Sequence, residues 1–328
     1  MSTECLQLRK IQVRLVFRVD ASSIIGTGHV MRCSAIIEEA AARGISCVVI
    51  GRLGGLRWLE DRLISIGALH YENEESFQIA DGEDILVIDS YEIPVSHEFI
   101  QPKNWRTVVS ISDDVTPDYL ASLVIHPGID EFRKAENAIR VLKGAEFIPF
   151  RKSIKKSLRE KNSPLRKIVI FAGGVDNFGF ALNLARNLKE VREFNEAVFF
   201  SNSQAEITSL DSRFIVRDFG PLLDAELENA DLVFTTASTS SLEIIAREIP
   251  AGICFSVDNQ IPYFDALTKE EVAFGIGNLS PSKQWELNQA AIEMLITDSN
   301  LRDQLSANSS GFLDLLGSQR LVDEILKL

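Results

Sequence analysis

Two doubly wound, Rossmann-like α/β domains facing each other across a cleft are the fold class this sequence predicts. Three observations carry the prediction. Short β-branched runs alternate with helical patterns along the whole chain, the signature of βα units around a parallel sheet. The pattern pauses at a basic, polar segment, 151–166, and then restarts. The length of 328 residues suits two domains of ordinary size. The expected division is therefore a first domain over 1–150, a linker over 151–166 and a second domain over 167–328.

The first domain offers strands at Arg14–Asp20, Ser46–Gly51, Ile85–Asp89, Thr107–Ser112 and Leu123–His126. Ile85-Leu-Val-Ile-Asp89 is nearly all apolar, as a central strand covered on both faces should be. An alanine-rich helix is predicted from Ser34 to Arg43. Trp58 to Ile66 spaces its apolar residues three and four apart, so it reads as a helix packed on the sheet. The segment 151–166 carries Pro164 and a run of Lys and Arg, and reads as a solvated connector. The second domain opens on the strand Lys167–Ala172, then Gly173-Gly174-Val-Asp176-Asn177 and a helix to about Val191. Further strands are expected at Ala197–Phe200, Phe214–Arg217, Leu232–Thr236 and Gly252–Phe255. Helices are expected at Leu222–Asn229, Ser241–Arg247, Pro262–Glu271, Pro281–Thr297 and Gln319–Lys327.

Composition excludes several classes. The formal net charge is −13, so a nucleic-acid or anionic-membrane partner is disfavoured. An anionic ligand must then be held by local devices. The four cysteines are scattered with no CxxC pair, which favours free thiols over a metal or disulfide framework. No apolar run approaches a membrane span. Residues 1–10 lack a signal-peptide core and read as a short extension, so the expected location is cytoplasmic.

The chemistry concentrates where strands hand over to helices. Gly26-Thr-Gly28-His29-Val-Met-Arg32 follows the first strand. The dinucleotide fingerprint G-x-G-x-x-G fails there, because Met31 stands at its third glycine and Gly51-Arg52 where an acid is expected. What Gly26 and Gly28 supply is close backbone approach. His29 reads either as a structural histidine or as a base near neutral pH. Arg18 and Asp20 share one side of their strand, so they either pair or face a ligand. Tyr91 follows the central strand at its carboxyl edge. Asp113-Asp114 reads better as a loop-forming pair than as a metal site. Thr236-Ala-Ser238-Thr239-Ser240-Ser241-Leu-Glu243 leads into a helix whose free N–H groups favour an anion. Ser240 and Glu243 have capping-box spacing, and Glu243 alternatively accepts ribose hydroxyls. Asp258-Asn259-Gln260 either fixes sugar hydroxyls or makes a polar turn.

Taken in order, R-x-D-x5-G-x-G-H-x-x-R, D-x-Y, a D-D loop, G-G-x-D, S-x-x-E and D-N-Q resemble the UDP-sugar hydrolases of pseudaminic acid synthesis. Those enzymes belong with the two-domain, GT-B nucleotide-sugar glycosyltransferases of the MurG-like type. The match runs from Arg18 to roughly Gly277. It departs at His126-Pro127-Gly128, where the family usually has asparagine before Pro-Gly, and at Val175 in place of serine. The resemblance implies a metal-independent, cofactor-free hydrolysis of a UDP-sugar with inversion at the anomeric carbon. It makes His29 the general base for water, with Asp20 and Tyr91 beside the sugar. Arg18, Gly26, Gly28 and Arg32 fall on the same substrate side. Gly173, Gly174, Ser238, Thr239, Ser240, Ser241 and Glu243 would hold UDP, and Asn259 and Gln260 the sugar or diphosphate. Two alternatives stand beside hydrolysis: transfer to a sugar hydroxyl on the same scaffold, and nucleotide-sugar binding without turnover.

Overall fold

The computed structural model describes residues 13–22, 26–79, 82–90, 93–113, 120–129, 140–173, 176, 178–279 and 285–328. The first sheet is built from β1 (Arg14–Val19), β2 (Ser46–Ile50), β3 (Ala68–Tyr71), β4 (Ile85–Asp89), β5 (Thr107–Ile111), β6 (Leu123–His126) and β7 (Val141–Lys143). Helices α1 (Gly28–Ala42) and α2 (Arg57–Ser65) cross over between its early strands. All neighbours are parallel, in the order β3-β2-β1-β4-β5-β6-β7. The chain therefore winds one way from β1 and the other way from β4. The crevice beyond the carboxyl ends of those two strands is the switch point where open α/β sheets bind ligands. Both strands are covered on both faces: Leu15, Val16, Phe17, Leu86, Val87 and Ile88 are fully buried.

The second sheet repeats the scheme. Its strands are β8 (Lys167–Phe171), β9 (Glu196–Phe200), β10 (Phe214–Arg217), β11 (Leu232–Thr236), β12 (Ala251–Phe255), β13 (Phe274–Leu279) and β14 (Trp285–Leu287). Their order is β10-β9-β8-β11-β12-β13-β14, with β14 antiparallel at the edge. Around them lie α3 (Phe180–Leu188), α4 (Gln204–Thr208), α5 (Leu222–Glu228), α6 (Thr239–Ala246), α7 (Ile261–Lys269), α8 (Gln289–Thr297) and α9 (Ser299–Ser309). The switch point here falls between β8 and β11. The two-sheet α/β prediction holds. Among the described residues no helix is long and apolar enough to cross a membrane.

The last helix, α10 (Gly317–Leu326), returns to the first domain. Its Leu321, Val322 and Ile325 share one face and are fully buried in the core that holds Leu15, Phe17 and Ile36. Each such side chain contributes about 1.5–3 kcal/mol by leaving water. Residues 317–326 thus pack with the half that precedes them by the whole second sheet. Gly317 makes the crossing possible, since a Cβ there would lie 1.9 Å from the Ile148 carbonyl oxygen. We expect Leu321→Ala to destabilise the first domain by about 2–5 kcal/mol. The check is a urea unfolding curve followed by fluorescence.

Several predicted elements differ in extent. The first helix starts at Gly28 rather than Ser34, which brings His29 into its first turn. The single helix predicted over Pro281–Thr297 is instead β14 followed by α8, with the Asn288 side chain accepting from the Ala291 N–H to cap it. The segment 151–166 is not a solvated connector throughout: Arg151, Ile154 and Leu165 are buried.

A candidate active site in the interdomain cleft

The switch points of the two sheets face each other. At the first, Gly26 takes φ +84°, a left-handed conformation natural to glycine, and the chain turns into α1. No side chain caps α1, whose N-cap is Thr27. At the second, Ser238 caps α6: its side chain accepts from the Ser240 N–H, and Ser241 Oγ accepts from the Ser238 N–H. The two helix starts nearly meet. A Cβ on Gly28 would lie 3.9 Å from Thr239 Oγ1; within the second domain, one on Gly173 would lie 3.8 Å from Ser240 Oγ. The N-terminal ends of two helices thus converge from opposite domains, an arrangement that favours an anion between them.

His29 stands in the first turn of α1, largely buried. Its Nδ1 lies 2.6 Å from Asp89 Oδ1 at the end of β4. Asp89 is buried, with 1% exposure. Arg32, one turn along α1, donates from Nε and Nη2 to both Asp89 oxygens at 2.6 Å. Its Nη1 donates to Asp113. Burial alone would raise the Asp89 carboxyl, but the Arg32 charge and the hydrogen bonds from Arg32 and His29 hold it well below the usual carboxylate range. Asp89 is therefore an anion at neutral pH and accepts the Nδ1 proton. An imidazole that donates its Nδ1–H to this carboxylate carries its lone pair on Nε2.

A cavity of about 470 Å³ adjoins this group. The first domain lines it with Thr27, Gly28, Met31, Arg32, Trp58, Asp61, Arg62, Ser65 and Pro127. The connecting segment contributes Ile148, Pro149, Phe150 and Arg151, and the second domain contributes Phe171, Gly173, Phe219, Gly220, Pro221, Leu223, Asp224, Thr239, Ser240 and Glu243. His29 belongs to the same helical turn as Gly28 and Arg32 but stands beside the cavity rather than in its wall. The volume suits a ligand of nucleotide size.

The residues singled out in the sequence divide accordingly. Gly28, Arg32, Gly173, Thr239, Ser240 and Glu243 line the cavity, and Ser238 and Ser241 shape its helix terminus. Arg32 reaches the wall, but its nitrogens are engaged by Asp89 and Asp113. Arg18 and Asp20 pair at 2.5 Å, with Arg18 also on Glu74 at 2.8 Å and Asp20 accepting the Arg52 N–H at 2.8 Å. Gln260 folds back to accept the Ser256 N–H at 2.8 Å, and Asn259 is exposed beside it. The capping box is Ser238 with Ser241, not Ser240 with Glu243; Glu243 instead accepts from Arg151. Asp176 accepts the Phe180 and Ala181 N–H groups and so caps α3. Tyr91, Gly174 and Asp114 lie outside the described residues. Among the described residues no cluster of His, Cys, Asp and Glu could hold a metal.

Sequence reasoning meets Asp89 only as the first residue of D-x-Y and gives Arg151 and Asp224 no role. For Asp89 a signal existed: it ends the most apolar strand of the first half, where a carboxylate is kept only for a partner.

Two facing doubly wound domains with a ligand-sized cleft define the GT-B type of fold. Solved structures agree over nearly the whole chain. MurG from Acinetobacter baumannii superposes with a TM-score of 0.61 at 14% identity, covering 96% of this chain and 100% of that one. MnaA of S. aureus, solved with UDP, gives 0.58 at 12% identity with 96% of each chain covered. The glycosyltransferase SnogD from Streptomyces nogalater gives 0.59 at 13% identity, covering 96% of this chain and 100% of that one. No family model and no curated protein sequence matches the chain. The likeness at these identities is one of fold.

Proposed function

We propose that the chain hydrolyses a UDP-sugar, releasing UDP and the free sugar with inversion at the anomeric carbon. The observation that carries this reading is the His29–Asp89 pair, 2.6 Å apart, with His29 in the first turn of the helix whose Gly28 lies beside Thr239 at the start of α6. In the proposed step, a water oxygen attacks the anomeric carbon and its proton passes to His29 Nε2. The bond from that carbon to the diphosphate oxygen breaks, and UDP leaves with the electron pair. Asp89 holds the imidazole in the right tautomer and stabilises the imidazolium that forms. The N–H groups at the start of α6 meet the charge that grows on the departing diphosphate. Glu243, a turn further along α6 and in the cavity lining, takes the ribose hydroxyls in this reading. UDP as the nucleotude component draws support from the motif resemblance and from the likeness to the UDP-bound MnaA structure. The acetamido sugar of the resembling hydrolases is the first substrate to try.

Transfer to a sugar hydroxyl is the second reading, supported by the likeness to SnogD, since the same base would deprotonate an alcohol as readily as water. One experiment separates them. A panel of UDP-sugars, headed by UDP-diacetamido-trideoxyhexoses, is incubated with the protein with and without sugar acceptors, and products are read by mass spectrometry. Free sugar and UDP without acceptor support hydrolysis. Release that strictly needs an acceptor assigns transfer, and binding without release removes both.

A further inference from the structure

The cavity wall holds an ion network built around Glu243, the residue assigned above to the ribose hydroxyls. Arg151, on the segment joining the domains, is 7% exposed. Its Nη1 donates to Asp224 Oδ2 at 2.6 Å, and its Nη2 donates to Glu243 Oε2 at 2.6 Å. Asp224, in the first turn of α5, also accepts from Arg247 Nη2 at 2.5 Å and from Ser153 Oγ at 2.8 Å. Arg247 is 1% exposed. Two guanidinium groups thus balance two carboxylates, and Asp224 is satisfied without Glu243.

Glu243 differs from Asp224 in one respect. Its Oε2 belongs to Arg151, whereas Oε1 has no protein partner among the described residues. Its side chain is about a quarter exposed and lines the cavity. A carboxylate anchored by one oxygen and presenting the other is a fixed acceptor for a hydroxyl pair. Without its anchor, the side chain would spread over several rotamers and lose that aim.

We propose that Arg151 is a positioning residue that sets ribose selectivity, holding Glu243 turned so that its carboxylate accepts the vicinal hydroxyls of a ribonucleotide. The proposal rests on the nucleotide reading above. It assigns a role to the interdomain segment: the chain that ties the domains together also aims a ligand-binding carboxylate.

The test is calorimetric binding of UDP and 2′-deoxy-UDP to the full chain and to Arg151→Gln, Arg151→Lys and Glu243→Gln. Wild type should prefer UDP by about tenfold, the scale of one lost charge-assisted hydrogen bond. In Arg151→Gln that preference should shrink to about twofold, mainly through weaker UDP binding, and Glu243→Gln should match it. Lysine keeps a buried cation and so protects the fold, but it cannot bridge both carboxylates with separate fork nitrogens. Arg151→Lys should therefore also lose selectivity, and it decides the matter if the glutamine variant does not fold. If both nucleotides weaken in proportion and the ratio stays near wild type, Arg151 is merely structural and the proposal is overturned. Wild type that binds UDP without discriminating overturns it too, while leaving the nucleotide reading standing. Failure of wild type to bind either nucleotide overturns both.

Discussion

His29→Ala is expected to lower UDP release by about 10²–10⁴-fold, the usual contribution of a positioned general base. UDP binding should survive, because the cavity wall is formed by neighbours of His29 and by the second domain rather than by the imidazole itself. Initial rates with the best donor from the panel, set beside calorimetric UDP binding, measure the two quantities separately. Undiminished release in this variant would sink the assignment of His29. A variant that loses binding and release together would instead place the imidazole in the ligand site.

Asp89→Asn should have the second large effect, and it should act on stability as well as rate. The aspartate is buried and bonds both His29 and Arg32. Removing its charge leaves the Arg32 guanidinium buried with Asp113 as its remaining carboxylate. Breaking a buried pair in this way costs about 3–5 kcal/mol. The same group predicts a pH dependence. The folded state holds the Asp89 carboxyl below its ordinary range, so the native state binds fewer protons there than the unfolded chain. Its stabilisation is fully present above the unfolded value of about 3.9 and is lost as pH falls further. Urea midpoints for wild type should therefore drop between about pH 4 and pH 3, and Asp89→Asn should drop less over that interval. Parallel curves for the two proteins would show that another carboxylate dominates the acid response.

Much of the fold was legible because parallel strands buried on both faces announce themselves as apolar runs. Ile85–Asp89, Leu123–His126, Phe214–Arg217 and Leu232–Thr236 were read with their observed limits. The strands that escaped are edge strands or carry glycine. Ala68–Tyr71 and Val141–Lys143 are short, with few apolar residues to mark them. Phe274–Leu279 contains Gly275 and Gly277, which weaken any strand signal; Gly277 adopts φ +136°, and a Cβ there would lie 2.2 Å from the Glu286 carbonyl oxygen of β14. The ligand side of the site was visible as glycines, hydroxyls and a histidine between strand and helix. Its support was not. Asp89 sits far in sequence from the histidine and arginine it joins, and Arg151 lies within a basic run that resembles a solvated face. Only the closing of the two sheets brings such partners together.

The return of α10 also changes what kind of joint lies between the domains. The chain crosses from one half to the other twice, once near Ile148–Arg151 and once near Gly317, and the crossings touch. Ser318 Oγ donates to the Phe150 carbonyl at 3.1 Å, and Arg320 Nη1 donates to the Glu146 carbonyl at 3.0 Å. A single tether would let one domain swivel in any direction. Two tethers stitched side by side behave as a door hinge, restricting the halves to opening and shutting about one line. The helix starts carrying His29 and Ser238 would then swing back into the same register on every closure.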